Sequence, residues 1–321
     1  MASPPIQATT TKHLCALVEQ AIAALGPHCD LNHIDVSRIQ SFDGVFAHSA
    51  FDGDIARWDV SNGVSFSNTF AHCPFNGNLA HWNMRNALTT SGMFLHSAFQ
   101  GDIANWDVSG VTCMEEMFQG SRFEGDLSGW DVSHVIQMNN MFKNTPFSGD
   151  VSSWNTANLR EARGMFDGSA FHGDVSKWNV SKLSDARSMF NTPSFHGDLS
   201  SWALRSRVQH QEMVHPTFCG VLPRVEHYDP IDAGAKMLGG VGALNAYALR
   251  AHFNAAHAHM LLWAPERCSW ASQDDVRWAR EVAEMGRAVG MKSDALVQLM
   301  VEQKMIILEP SRYSFDFSTL S

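Results

Sequence analysis

The sequence predicts an α/β solenoid, a stack of 24-residue coils joined by a parallel sheet, with an N-terminal helical cap and a mainly α-helical C-terminal region. Three recurring residues carry the prediction. In seven copies a phenylalanine returns every 24 residues, with a glycine two residues later and a tryptophan seven residues later. So short a unit cannot bury its own apolar face, so we expect the copies to stack around one shared core. The tryptophans expected in this core are Trp58, Trp82, Trp106, Trp130, Trp154, Trp178 and Trp202.

The helical cap is predicted from residues 12–25. They carry an apolar stripe at helical spacing, with Thr10 or Thr11 placed to cap the start and Gly26 with Pro27 placed to end the helix. An uncapped solenoid exposes its core and a free strand edge, which a helix can cover. The stripe consists of Leu14, Leu17, Val18, Ala21, Ile22 and Leu25.

Each coil is predicted to hold one strand and one short helical segment. Residues 106–109 read Trp-Asp-Val-Ser, in which apolar and polar residues alternate as in a half-buried strand. Val111, Met114 and Met117 follow at intervals of three, which suits a helical turn. The repeat glycine is expected to form a corner with positive φ, and the residue after it to accept hydrogen bonds from turn amides.

The repeat is expected to fill residues 31–222 with seven to eight coils, after an N-terminal segment at 1–30. A last copy, which has lost part of the repeat pattern, ends near Gly220. From residue 223 to 321 the period is lost, and we expect a mostly helical domain or second cap. Its helices are predicted at 232–262, 273–289 and 293–305.

Residues 31–222 resemble the BspA-like, DUF285 class of bacterial surface-protein repeats, which are grouped with leucine-rich repeats. The resemblance rests on the phenylalanine, glycine-aspartate and tryptophan signature in seven copies, and 24 residues lies within the usual leucine-rich-repeat range. It implies a leucine-rich-repeat-like fold and a role in adhesion or host contact. No signal sequence, lipobox cysteine or anchor motif accompanies the repeats, so we expect a cytoplasmic location or signal-independent export, including delivery into a host.

The composition of the chain disfavours several classes of function. The formal net charge is -10, which disfavours binding to nucleic acid, and no apolar run is long enough to span a membrane. The six cysteines form no Cys-x-x-Cys pair and are expected to be reduced thiols.

A column of acidic residues is expected where each coil turns after its glycine. Neighbouring carboxylates would repel one another, so turn amides or a bound cation such as Ca²⁺ must offset the charge. We favour turn amides, because one aspartate per coil supplies too few ligands for Ca²⁺. The column consists of Asp54, Asn78, Asp102, Asp126, Asp150, Asp174 and Asp198.

A second polar column follows each tryptophan and is the candidate partner-binding face. If the strands form a concave sheet, these side chains point toward a partner; the alternative is that they only keep the sheet soluble. A small acidic face suits a basic protein, a peptide or a glycan. The candidate residues are Asp59, Ser61, Asn83, Arg85, Asp107, Ser109, Asp131, Ser133, Asn155, Asn179 and Ser181.

No catalytic, cofactor or metal site is predicted. His252 and His259 share a helix face but lie about 10 Å apart, too far to bind one zinc ion together. Cys219 and Cys268 have no nucleophile motif around them, and phosphate-loop and nucleophile-elbow motifs do not occur. We therefore expect a non-catalytic interaction protein. Two alternatives are an effector or toxin whose activity lies in residues 223–321, and a structural role for that region as a cap or oligomerisation surface.

Overall fold

The computed structural model describes residues 6–216, together with 218, 220, 222–225, 236 and 237. One compact unit of the chain, Met1–Leu244, contains the whole repeat. Apart from Lys236 and Met237, which are helical, the predictions for the C-terminal region lie outside the described residues. The same holds for Cys219, Cys268 and the histidines at 252–259.

The predicted N-terminal helix is present as α1, Thr11–Leu25. Thr10 caps it by accepting the backbone N–H of His13, and Gly26 ends it at φ 87°. Leu14 and Val18 are buried, whereas Leu25, at the end of the stripe, is 69% exposed. The helix therefore buries only the first half of its apolar stripe.

Regular strands occur at the two ends of the described repeat. At the first coil, β1 (Ile6–Gln7) pairs in parallel with β2 (Ile34–Asp35). At the last, β3 (Ala203–Leu204) pairs in parallel with β4 (Arg224–Val225). Both β2 and β3 overlap the segment predicted as the strand of each coil.

Between these ends the strand prediction is wrong, because no bridge joins the Trp-Asp-Val segments of neighbouring coils in the described repeat. The aspartate of each such segment closes a local turn. Asp59 Oδ1 accepts the backbone N–H of Ser61 at 3.0 Å, and the same contact recurs in the other coils. An amide bonded to a side chain two residues away is not available to a neighbouring strand.

Coils pair instead through the segment predicted to be helical. One parallel bridge per coil joins a continuous column, hereafter the paired column. It consists of Ser41, Ser65, Thr89, Cys113, Gln137, Glu161, Asp185 and Gln209. The helical prediction is therefore wrong: residues after each bridge form successive turns, in which left-handed residues four positions apart, such as Asn68 and His72 at φ 55°, interrupt any helix.

The turns give each coil two sets of hydrogen bonds. Phe66, Asn68, Phe70 and His72 donate their N–H groups to carbonyls of the next coil, at 2.7–3.0 Å. Thr69 and Ala71 donate within their own coil to the carbonyl three residues back, Ala71 to that of Asn68 at 3.1 Å. The backbone N–H groups that would form hydrogen bonds within a helix instead bond partly within local turns and partly to the neighbouring coil.

The core consists of stacked aromatic rings. Equivalent phenylalanines at the end of each turn segment lie 5.3–5.7 Å apart, centroid to centroid, along the whole array. They are Phe46, Phe70, Phe94, Phe118, Phe142, Phe166 and Phe190, and all are fully buried. The phenylalanines that begin each copy, such as Phe171 and Phe195, form a second stack. The incomplete last copy continues this stack, since the ring of Phe218 lies 6.0 Å from that of Phe195.

The seven repeat tryptophans are buried and link successive coils. Each indole N–H donates to a backbone carbonyl 27 residues earlier, in the preceding coil, at 2.9–3.4 Å. Trp106 Nε1, for example, donates to Leu79 O at 2.9 Å. These bonds connect the coils on the side where backbone pairing is missing.

The repeat glycines serve a different purpose from the one predicted. None of the seven has a φ in the left-handed region, so the positive-φ corner is wrong. A Cβ on Gly101 would lie 2.8 Å from two ring carbons of Phe99 and 3.2 Å from the carbonyl oxygen of Gly77. Glycine is needed because the coil passes too close to its own phenylalanine and to the preceding coil for a side chain to fit.

Candidate functional site

Two polar columns run along the coils outside the paired column. The corner column is Asp54, Asn78, Asp102, Asp126, Asp150, Asp174 and Asp198. In every member Oδ1 accepts the backbone N–H two residues later, at 2.8–3.0 Å. The predicted hydrogen bonding to turn amides is therefore present, and a cation is not required to hold the turns.

The outer column makes the same turns and contains the predicted partner-binding residues. It consists of Asp35, Asp59, Asn83, Asp107, Asp131, Asn155 and Asn179. Each Oδ1 accepts the N–H two residues later at 2.9–3.2 Å, from Ser37, Ser61, Arg85, Ser109, Ser133, Ala157 and Ser181. From Asp59 to Asn179 its side chains are exposed to solvent. The structure brings these predicted residues together in one row, on turns instead of on a sheet.

Hydrogen bonds lower the pKa of several of these carboxyl groups. The Ser109 hydroxyl and backbone amide lower the pKa of Asp107, and Ser133 lowers that of Asp131 in the same way. In the corner column, the pKa of Asp174 is lowered chiefly by the amide of Ser176, although the charge of Asp150 opposes the shift. Both columns therefore carry negative charge at neutral pH and in mild acid.

Replacing Asp107 by alanine is expected to lower the free energy of unfolding by about 0.5–1.5 kcal/mol, since the Ser109 amide and hydroxyl lose their acceptor. Asp107→Asn is the matched control, because Asn83 and Asn155 show that asparagine makes the same turn. Urea unfolding of both variants measures the difference. Equal destabilisation by alanine and asparagine would show that charge, and not the turn, matters at this position.

The paired column lies within a network of side chains that sequence reasoning missed. Asn139 Nδ2 donates to Glu115 Oε1 at 2.6 Å and to Glu161 Oε2 at 3.0 Å, which links three coils. Further along, Lys143 Nζ lies 2.9 Å from Asp167 Oδ2. The sequence does contain a signal for this network. At every bridge except that of Cys113 the paired residue is polar and the next residue faces inward, as in a strand exposed on one face.

Three imidazole rings form a further stack, the histidine column. The rings of His48 and His72 lie 4.6 Å apart, and those of His72 and His96 lie 4.9 Å apart. All three residues are exposed and have φ between 51° and 57°, a conformation in which histidine is over-represented. The pKa of His72 is lowered, first by partial burial and then by the neighbouring histidines.

Acid is expected to destabilise the fold through the histidine column. A lowered folded-state pKa means that the unfolded chain binds more protons, so stability is present above about pH 6.5 and is lost as the pH falls through that value. Substituting His48, His72 and His96 together by asparagine, which Asn144 shows to fit this φ, should reduce the fall in Tm between about pH 7.5 and 5.5. The exposed His134→Asn is the control and should keep the wild-type dependence. An unchanged pH profile in the triple variant would contradict the assignment.

The described residues contain four cysteines. Cys15, Cys29, Cys73 and Cys113 are free thiols, and burial raises the pKa of Cys73 to about 11. Among the described residues, no three histidine, cysteine or acidic side chains converge in a way that could hold a metal ion. In the same part of the chain, none of the helices combines the length and hydropathy that crossing a bilayer requires.

Comparison with known proteins identifies the repeat. A family model described as "Mycoplasma protein of unknown function, DUF285" matches residues 18–128 and 119–218. No curated protein and no solved structure matches the chain. The two matched stretches cover more than half of the sequence and coincide with the stacked coils. The chain therefore belongs to the DUF285, BspA-like family of repeat proteins.

Proposed function

We propose that this chain is a non-catalytic interaction protein whose coils present the outer column to a basic protein or to a glycan. The observation that supports the proposal is the register of that column. Each acidic or amide side chain is fixed by its own turn, and the coils beneath are tied together by the indole hydrogen bonds. A surface that is ordered before binding loses little conformational entropy on association.

The charge of the outer column favours a basic partner. Asp59, Asp107 and Asp131 are exposed, and hydrogen bonds lower the pKa of the latter two, so the column stays anionic. Complementary charge accelerates encounter and selects among partners. We also propose that the stacked coils form a leucine-rich-repeat-like architecture. The role that we propose is adhesion or host contact, as the family resemblance implies.

The test removes charge without removing structure. Asp59, Asp107 and Asp131 would be changed together to asparagine, which keeps the turn at Asn83 and Asn179. Immobilised full-length wild type and variant would then be compared against a panel of basic and acidic proteins and against a glycan array. We expect wild type to bind a basic protein or a glycan, and the triple variant to lose that binding while its unfolding midpoint stays the same. Absence of binding by wild type, or equal binding by the variant, would overturn the proposal.

A further inference from the structure

A second surface lies directly beside the paired column. From the bridge at Ser41 to the bridge at Asp185, the residue before each bridge is at least partly exposed, and these residues form a row whose chemistry changes along the array. The row consists of Gln40, Val64, Leu88, Thr112, Ile136, Arg160 and Ser184. We name Val64, Leu88, Thr112 and Ile136 the apolar strip.

The backbone holds this row rigidly in register. Each member from Val64 to Ser184 donates its N–H to the carbonyl of the preceding member, 24 residues earlier, at 2.7–2.9 Å. Parallel segments joined in this way lie about 4.8 Å apart. The four steps from Val64 to Arg160 therefore span about 19 Å, the length of about six residues of extended chain.

The apolar strip leaves large side chains in solvent. Leu88 is 50% exposed and Ile136 is 38% exposed. Among the described residues, the other exposed large hydrophobic side chains are Ile6 and Leu25, both of which precede the repeat. Leu88 and Ile136 lie on one rigid row, with the methyl group of Thr112 between them. They form an exposed apolar surface that the rest of the described repeat lacks.

Beyond the strip the surface becomes basic, although the chain as a whole is acidic. Arg160 and Arg163 are exposed. Lys143 pairs with Asp167 and Arg187 pairs with Asp185, whose carboxylate also interacts with Arg163. Glu161 accepts hydrogen bonds from the neutral Gln137 and Asn139 and keeps its negative charge. At this end of the row the bases exceed the acids by one charge: the bases are Lys143, Arg160, Arg163 and Arg187, and the acids are Glu161, Asp167 and Asp185.

We propose that the apolar strip with Arg160 and Arg163 docks an extended segment of a partner protein, in which apolar residues precede carboxylates. The partner's apolar side chains cover Leu88 and Ile136, and its carboxylates pair with the arginines. The row's carbonyls are already bonded to the next coil, so side chains and not added backbone pairing provide the contact. This surface is separate from the outer column and stands whether or not that column binds a partner.

The probe is a synthetic seven-residue peptide with valine at alternate positions and two glutamates at one end, compared with a matched peptide that ends in two lysines. Their binding to the full-length protein is measured by fluorescence anisotropy. We expect the glutamate peptide to bind about tenfold more tightly than the lysine peptide, and Arg160→Glu with Arg163→Glu to reverse the preference. Leu88→Ser with Ile136→Ser should weaken binding of both peptides.

Arg122→Glu is the control, because Arg122 is an exposed base outside the row, and it should leave the preference unchanged. All of these substitutions are on exposed side chains, and equal Tm values would show that the fold is intact. Equal affinity for the two peptides, failure of the glutamate peptide to bind at about 1 mM, or retention of the preference in the double arginine variant would overturn the assignment. The asparagine variant of the outer column should bind both peptides as wild type does, so the two surfaces are tested independently.

Discussion

Replacing Trp106 by phenylalanine is expected to lower the free energy of unfolding by about 2–4 kcal/mol. The indole N–H donates to the carbonyl of Leu79 in the preceding coil, and phenylalanine removes this bond between the coils, although Leu79 O keeps the backbone N–H of Trp82. A lost hydrogen bond costs about 0.5–1.5 kcal/mol, and the smaller ring adds a cavity in a tightly packed core. Equilibrium urea unfolding of the full-length protein measures the loss.

The control for Trp106→Phe is Phe99→Leu, which also shrinks a fully buried ring but removes no hydrogen-bond donor. We expect the tryptophan variant to be the less stable of the two. If both variants lost the same stability, the indole would act by volume alone. Its hydrogen bond would then not be what ties the coils together on this side.

Replacing Gly101 by alanine should cost about 1–3 kcal/mol, which is typical of an overpacked site. The new Cβ would lie 2.8 Å from the ring of Phe99, which is buried between Phe75 and Phe123 and cannot move aside. On its other side lies the carbonyl oxygen of Gly77, 3.2 Å away. The coil would have to separate from its neighbour to admit the methyl group.

Gly129→Ala is the matched control, since its Cβ would meet nothing closer than 3.9 Å and its φ is not in the left-handed region. We expect it to be neutral or slightly stabilising, because alanine restricts the unfolded chain. Thermal unfolding of the pair separates steric fit from backbone freedom. If Gly101→Ala were as stable as Gly129→Ala, the close approach of the coils would not explain the repeat glycine.

The stacking of the coils could be predicted from sequence because a fixed period leaves little choice. Side chains such as Trp58 and Phe70 occupy the same place in every copy, and they bury their surface only if the copies lie above one another. The N-terminal helix was equally accessible, since its cap at Thr10 and its end at Gly26 are local signals.

The position of the coil-to-coil pairing was not accessible from apolar spacing alone. Residues three apart suggested a helix, but the buried Met114 and Met117 are equally consistent with two successive turns. The competing signal was the pair of turn-tolerant residues four positions apart, such as Asn140 with Asn144 and Gly164 with Gly168. Read in the six copies from Gly44 to Gly168, these pairs indicate repeated left-handed residues, which a helix does not accommodate.

The candidate surfaces were predicted only in part for the same reason. The outer column was found because its polar residues recur in phase with Trp106 and its equivalents. The row from Val64 to Arg160 was missed, because its residue types change from copy to copy and leave no recurring pattern in the sequence. The hydrogen bonds between coils show that Leu88, Ile136 and Arg160 lie in one line beside the paired column.

Neighbouring coils are matched to one another through their left-handed residues. The amide of Asn140 extends over Gly164 and that of Asn144 over Gly168, in each case filling the space that a Cβ of the next coil would occupy. A copy is therefore complementary to its own successor and not to an average member of the series. Lengthening or shortening such a gene by one unit would bring together copies that had not adapted to each other, so selection must act on adjacent units jointly.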